Sequence, residues 1–121
     1  MAVVLLVEDD DSIRELTEEI IQEFGHHTHS ASDDEALLFL RSSRHIDALI
    51  VDIRLRSNYI GGLELARQAI RLRPQLCVLY TTGSSISKFS ALLVDGAHFL
   101  QKPYTQSQLK YSIEQLIASS F

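Results

Sequence analysis

A chain of 121 residues suits a single domain, here expected over 1–121, and it can bury roughly two-thirds of its unfolded surface without a disulfide or structural metal. Apolar residues at 45% and charged residues at 22% fit an ordinary globule, and no apolar run approaches the ~18 residues of a membrane span. The net charge of −5 argues against direct binding of nucleic acid.

The N-terminus "MAVVLLVEDD" has no basic region and no cleavage site, so a cytoplasmic location is expected. Its "AVVLLV" is a continuous apolar run, the mark of a strand covered on both faces. Ile13, Leu16, Ile20 and Phe24 then recur at helical spacing, with an S-x-x-E box at Ser12–Glu15 to start the helix and Gly25 to end it. "HHTHSA" reads as a weak strand, and Ser32–Glu35 opens a second helix through "ALLFLRSS". "DALIV" is the third strand, and "GLELARQAIRL" is a helix stopped by Pro74. "LCVLY" is the fourth strand, with Cys77 expected as a small buried hydrophobe. "SSISKFSALLVD" is predicted helical up to Gly96, and "AHFLQ" is a short fifth strand. A T-x-x-Q box at Thr105–Gln108 opens the last helix through "LKYSIEQLI". Five strand–helix pairs in strict alternation predict an α/β fold, a doubly wound five-stranded parallel sheet with helices on both faces.

Ligand sites in such sheets form beyond the carboxyl ends of the strands. Glu8, Asp9 and Asp10 follow the first strand, Asp52 the third, Thr81 and Thr82 the fourth, and Lys102 the fifth. Two carboxylates ~4 Å apart repel by about 1 kcal/mol in water and about 4 at an effective dielectric of 20. Acids gathered on one edge therefore call for a cation. Hard oxygen donors favour magnesium, which keeps several waters and is commonly completed by phosphate. A carboxylate is also a nucleophile able to form an acyl phosphate, and Asp52, isolated at a strand tip, is the best candidate. Lys102 can pair with Asp52 or a phosphoryl oxygen, and the Thr81 hydroxyl can hydrogen-bond such an oxygen.

The motifs "LLVEDD", "LIVDIRL", "GGLELA", "VLYTTG" and "FLQKPY", in this order over nearly the whole chain, resemble the response-regulator receiver domain of two-component signalling. The resemblance implies the flavodoxin-like strand order 2-1-3-4-5. It makes Asp52 the phosphoryl acceptor, with Mg2+ held by Asp9, by Asp52, by the backbone carbonyl of Arg54 and, mainly through bound water, by Glu8. Thr81 becomes the switch hydroxyl, Lys102 the phosphate-contacting lysine, Phe99 the switch aromatic that turns inward, and Lys102–Pro103 a cis peptide. The implied partners are a histidine kinase or histidine phosphotransfer protein as donor, and a downstream protein target or attached output domain; the chain is free-standing or part of a longer regulator or hybrid kinase. Many receivers carry proline where this chain has Arg56, and the loop "RLRSNYIGG" runs longer than usual. Arg54 stands two residues past the acceptor, where it is expected to tune loss of the phosphoryl group.

Plainer readings apply to other residues. Asp10 and Asp11 suit helix capping and the helix dipole. His27 and His29 share a strand face but have no evident third ligand, so exposed strand histidines are expected. Tyr104, Phe89 and Ile86 are candidates for a partner patch or for ordinary scattered apolar surface. "TTGSS" is neither a phosphate loop nor a nucleophile elbow. The residues disfavour three rival functions. A degenerate receiver acting as an unphosphorylated interaction module is disfavoured by the intact acceptor, acids, Thr81 and Lys102. A flavin carrier needs a phosphate loop where this chain has acids. An aspartyl phosphohydrolase places its nucleophile after the first strand.

Overall fold

The computed structural model describes residues 1–55 and 61–120. Five strands form one parallel sheet in the order β2-β1-β3-β4-β5. They are β1 (Val3–Val7), β2 (His27–Ser30), β3 (Ala48–Asp52), β4 (Cys77–Thr82) and β5 (His98–Gln101). Four α-helices accompany them: α1 (Asp11–Glu23), α2 (Asp33–Arg41), α3 (Gly61–Leu72) and α4 (Gln106–Ser119). The fold class and strand order are those expected.

The period of two along each strand divides the core into two layers. Leu5, Val7, Leu49, Val51, Val78 and Tyr80 point to the side covered by α2 and α3. Val4, Leu6, Ala48, Ile50 and Leu79 point to the other side, under Ile20 and Ile21 of α1 and Leu109, Ile113 and Leu116 of α4. Continuous apolar runs in β1 and β3 follow directly, since every residue of a doubly covered strand meets a helix. Cys77 is half-buried rather than fully enclosed, against the α1/α4 layer.

Two helix starts are as expected. Ser32 and Glu35 make a reciprocal capping box, as do Thr105 and Gln108. The Thr105 hydroxyl accepts from the Gln108 amide at 3.1 Å, and the Gln108 side chain accepts from the Thr105 amide at 2.8 Å. Thr105→Ala should lower stability by about 1 kcal/mol in urea denaturation, the usual effect of losing such a cap. The first helix differs from expectation: Asp10, not Ser12, is its N-cap, accepting from the Ile13 amide at 3.1 Å. Gly25 follows its end at φ +81°, a conformation that favours glycine.

The main departure lies between β4 and β5. The expected fourth helix is replaced by two 3₁₀ turns, Ile86–Lys88 and Ser90–Leu92. Serine hydroxyls compete for hydrogen bonds here. The hydroxyls of Ser85 and Ser87 lie 2.8 Å apart, and that of Ser90 donates to the Ser87 carbonyl at 3.4 Å. After Leu92 the backbone turns extended at Leu93, and the Val94 amide donates to the Tyr80 hydroxyl at 3.2 Å. That bond ties the segment flat against the sheet. Phe89 is buried in the α2/α3 layer, so it is core rather than partner surface.

Candidate functional site

Strand register brings the expected residues together. Val7 pairs with Val51, so Glu8 falls beside Asp52. Asp52 pairs with Thr81, and Thr82 with Gln101, which puts Lys102 one step beyond. The period of two then aligns the side chains. Glu8 follows Leu6, Asp52 follows Ile50, Thr81 follows Leu79 and Lys102 follows Leu100, all on the α1/α4 side of the sheet. Four polar residues from four strands thus emerge on one face at one edge.

Lys102 ties this edge. Its Nζ donates to Glu8 Oε1 and to Asp52 Oδ2, each at 2.9 Å. The ammonium offsets the repulsion between the two acids. The lysine is itself placed by its backbone amide, which donates to the Thr82 carbonyl at 2.7 Å. The Lys102–Pro103 peptide is cis, as the resemblance implies. The other oxygens are also engaged: Asp52 Oδ1 accepts from the Arg54 amide at 3.3 Å and Glu8 Oε2 from the Asp10 amide at 3.1 Å. The Glu8 side chain is 4% exposed and that of Asp52 12%, so Asp52 keeps a narrow opening to solvent.

Burial raises the Glu8 carboxyl above its ordinary value; the hydrogen bond from Lys102 opposes this and the charge of Asp52 adds to it. Burial also works against the charge of Lys102, but hydrogen bonds to Asp52 and Glu8 outweigh it, and its pKa stands above the ordinary lysine value. The net pattern is one firmly held cation between two acids, one of them reluctant to ionise.

The other expected site residues lie around this edge. Thr81 is buried beside Asp52. Asp9 is exposed at the rim and Arg54 is exposed just past Asp52. Phe99 is half exposed on β5, so its ring is turned outward rather than into the core. Tyr104 is half-buried against the α1/α4 layer. His27 is exposed, while His29 stacks on Phe39 with ring centres 4.9 Å apart. Arg56 and the loop through residue 60 lie outside the described residues, as does the Ile86 side chain. A larger hollow, about 710 Å³, lies at the opposite edge of the sheet against Leu40, Ile46 and Leu76, away from the acids.

The donor set suits magnesium. Among the described residues, no three of the acids, histidines and cysteine form a ready-made metal cage. Magnesium does not need one, since it binds through one or two carboxylates and keeps its waters. Glu8 and Asp52 are already drawn to a single positive centre, and all the donors are oxygen.

A five-stranded parallel sheet with an acid pair and a lysine at its carboxyl edge defines a doubly wound α/β protein with a charged site at its strand ends. Residues 4–114 match the response regulator receiver domain, and the chain belongs to that family. It is 32% identical over 108 residues to the uncharacterized transcriptional regulatory protein YrkP of Bacillus subtilis, covering 88% of this chain and 45% of that protein. It is 24% identical to the response regulator receiver protein CpdR of Brucella abortus, covering 97% of this chain and 98% of the relative. A crystal structure of a response regulator receiver protein from Sinorhizobium medicae superposes with a TM-score of 0.87 at 25% identity, over 99% of this chain and 97% of that one. The chain thus spans under half of YrkP and nearly all of CpdR. No described helix is long and apolar enough to cross a membrane.

Proposed function

We propose that this receiver domain is a magnesium-dependent phosphorylation switch with Asp52 as its acceptor. The observation that carries the reading is the Lys102 ammonium bonded at 2.9 Å to both Glu8 and Asp52. Glu8, Asp9, the Asp52 carboxylate and the Arg54 carbonyl would hold the ion. Bound magnesium would offset the negative charge of the acids and the incoming phosphoryl oxygens.

The donor is a phosphohistidine on a histidine kinase or phosphotransfer protein. An Asp52 oxygen forms a bond to phosphorus as the bond from phosphorus to the imidazole nitrogen breaks, and the imidazole regains a proton from solvent. Lys102 then exchanges its contact with the Asp52 carboxylate for one with a phosphoryl oxygen. Thr81, next to Asp52 in register, meets another. The new group adds about −1.5 to −2 charges, enough to bias a two-state surface element. Phe99, half exposed here, is the aromatic whose inward turn would report that change to a downstream protein or an attached output domain. A cytoplasmic setting accords with donors of this kind.

Incubation with acetyl phosphate and magnesium, followed by intact-mass measurement, tests the reading. One added phosphoryl group is expected, and EDTA should prevent it. An unchanged mass with magnesium present would leave the chain as an interaction module that is never phosphorylated.

Arg54 is exposed and its amide already contacts the acceptor. In Arg54→Ala the phosphorylated state should decay severalfold faster, because a side chain that screens the acyl phosphate from water is gone. Decay followed by intact mass at fixed magnesium checks this, and an unchanged lifetime removes the role.

A further inference from the structure

The start of α3 lies directly on the backbone that carries the acceptor. A Cβ added at Gly62 would stand 2.0 Å from the Asp52 carbonyl oxygen, 2.7 Å from the Asp52 carbonyl carbon and 2.7 Å from the Ile53 Cα. All three are main-chain atoms, so no side chain can swing aside to make room. The Gly62 amide also donates to the Ile53 carbonyl at 2.7 Å. One glycine therefore presses on the 52–53 peptide and bonds the 53–54 peptide. The Ile53 amide fixes the same stretch from the opposite side, donating to the Thr81 carbonyl at 2.9 Å.

We infer that Gly62 is a positioning residue for cation binding: it orients the two consecutive peptides that set the Asp52 carboxylate and the Arg54 carbonyl. With the Ile53 carbonyl held on Gly62, the Arg54 carbonyl is the next main-chain oxygen along the chain. Its direction depends on the peptide that Gly62 holds. This rests on the reading of Asp52 and Arg54 as ligands given above. Gly62 combines the close approach with the hydrogen bond, and any larger residue there must push the helix away from the acceptor strand or twist that strand.

Magnesium affinity of the full chain, measured by titration calorimetry, tests the inference. Gly62→Ala should bind the ion about tenfold more weakly, the scale of losing a group that orients a metal ligand. Gln68→Gly is the control: Gln68 is exposed on the same helix, so the change weakens α3 through its backbone and should keep wild-type affinity. An equal loss in both variants would show that only the stability of α3 matters, and would overturn the inference. So would wild-type affinity in Gly62→Ala. A second measurement needs no variant and decides the matter where Gly62→Ala does not fold. Linkage requires that an ion dependent on this arrangement also stabilise it. Amide hydrogen exchange at Gly62 in the wild type should slow severalfold with saturating magnesium, and an unchanged rate would overturn the role. A wild-type chain that binds no magnesium would remove the reading of the site and this inference with it; normal wild-type binding together with an unaffected Gly62→Ala removes the inference alone.

Discussion

Asp52→Asn is expected to abolish phosphoryl transfer completely while leaving the fold intact. The amide has nearly the shape of the carboxylate but lacks the negative oxygen that attacks phosphorus. Its carbonyl oxygen can still accept from Lys102, so the edge of the sheet keeps a partner for the ammonium. Losing the Asp52 charge also removes one of the influences that raise the Glu8 carboxyl. Glu8 should then ionise at lower pH than in the wild type, a shift readable by NMR titration of its side chain. Intact mass after incubation with acetyl phosphate and magnesium checks the main claim. The variant should stay at its starting mass under conditions where the wild type gains one group. A labile adduct on the asparagine variant would move the acceptor to another residue.

Lys102→Met should cost about 3 kcal/mol of stability at pH 7.5, because it leaves two enclosed acids facing each other without their cation. Its pH dependence has a definite sign. The raised pKa of Lys102 means that its contribution is fully present below the ordinary lysine value and is lost only as pH rises through the higher folded value. The wild type therefore holds this contribution across the neutral range. In the variant the Glu8 carboxyl, already raised, loses an opposing influence and rises further. The native state then takes up protons more readily than the unfolded chain. The deficit should be largest at neutral pH and shrink as pH falls and Glu8 protonates. Magnesium should stabilise the variant more than the wild type, since a divalent ion can serve both acids where the ammonium stood. Urea denaturation at pH 5 and 7.5, with and without magnesium, reads all three effects. Equal stability of variant and wild type at pH 7.5 would mean that solvent, not Lys102, offsets the charge of the acids.

Much of this site was legible because two periodicities carry it. The apolar runs of β1, β3 and β4 mark strand ends to within a residue or two, and the carboxyl ends of parallel strands share one edge. Once Glu8 and Asp52 were known to end neighbouring strands, their meeting was a matter of register. Lys102 followed from the same logic on β5. The misses have local causes. Both Asp10 and Ser12 are good caps, and nothing in the sequence tells which one the first helix uses; the amide of Ile13 decides for Asp10. The segment after β4 shows apolar residues at intervals that suit a helix, but its serines hydrogen-bond locally and Tyr80 holds Val94 to the sheet. A tether between residues 80 and 94 leaves no trace in periodicity. The role inferred for Gly62 was hidden for a similar reason. "GGLELA" reads as the start of a helix, and the nearness of that start to another strand's main chain is a property of the folded molecule alone.

The pair of 3₁₀ turns beyond β4 bears on how cheaply the surface can be remade. Its main-chain bonds from Lys88 to Ser85 and from Leu92 to Phe89 span three residues and are poorly aligned by nature. Little ordering is surrendered when they break, so this stretch should be among the earliest parts of the molecule to exchange its amides with solvent. Phe89 below and the Tyr80 hydroxyl at its end act as two rivets. Between those rivets the chain is wound as 3₁₀ turns rather than α-helix, so its amides should exchange before those of the four α-helices.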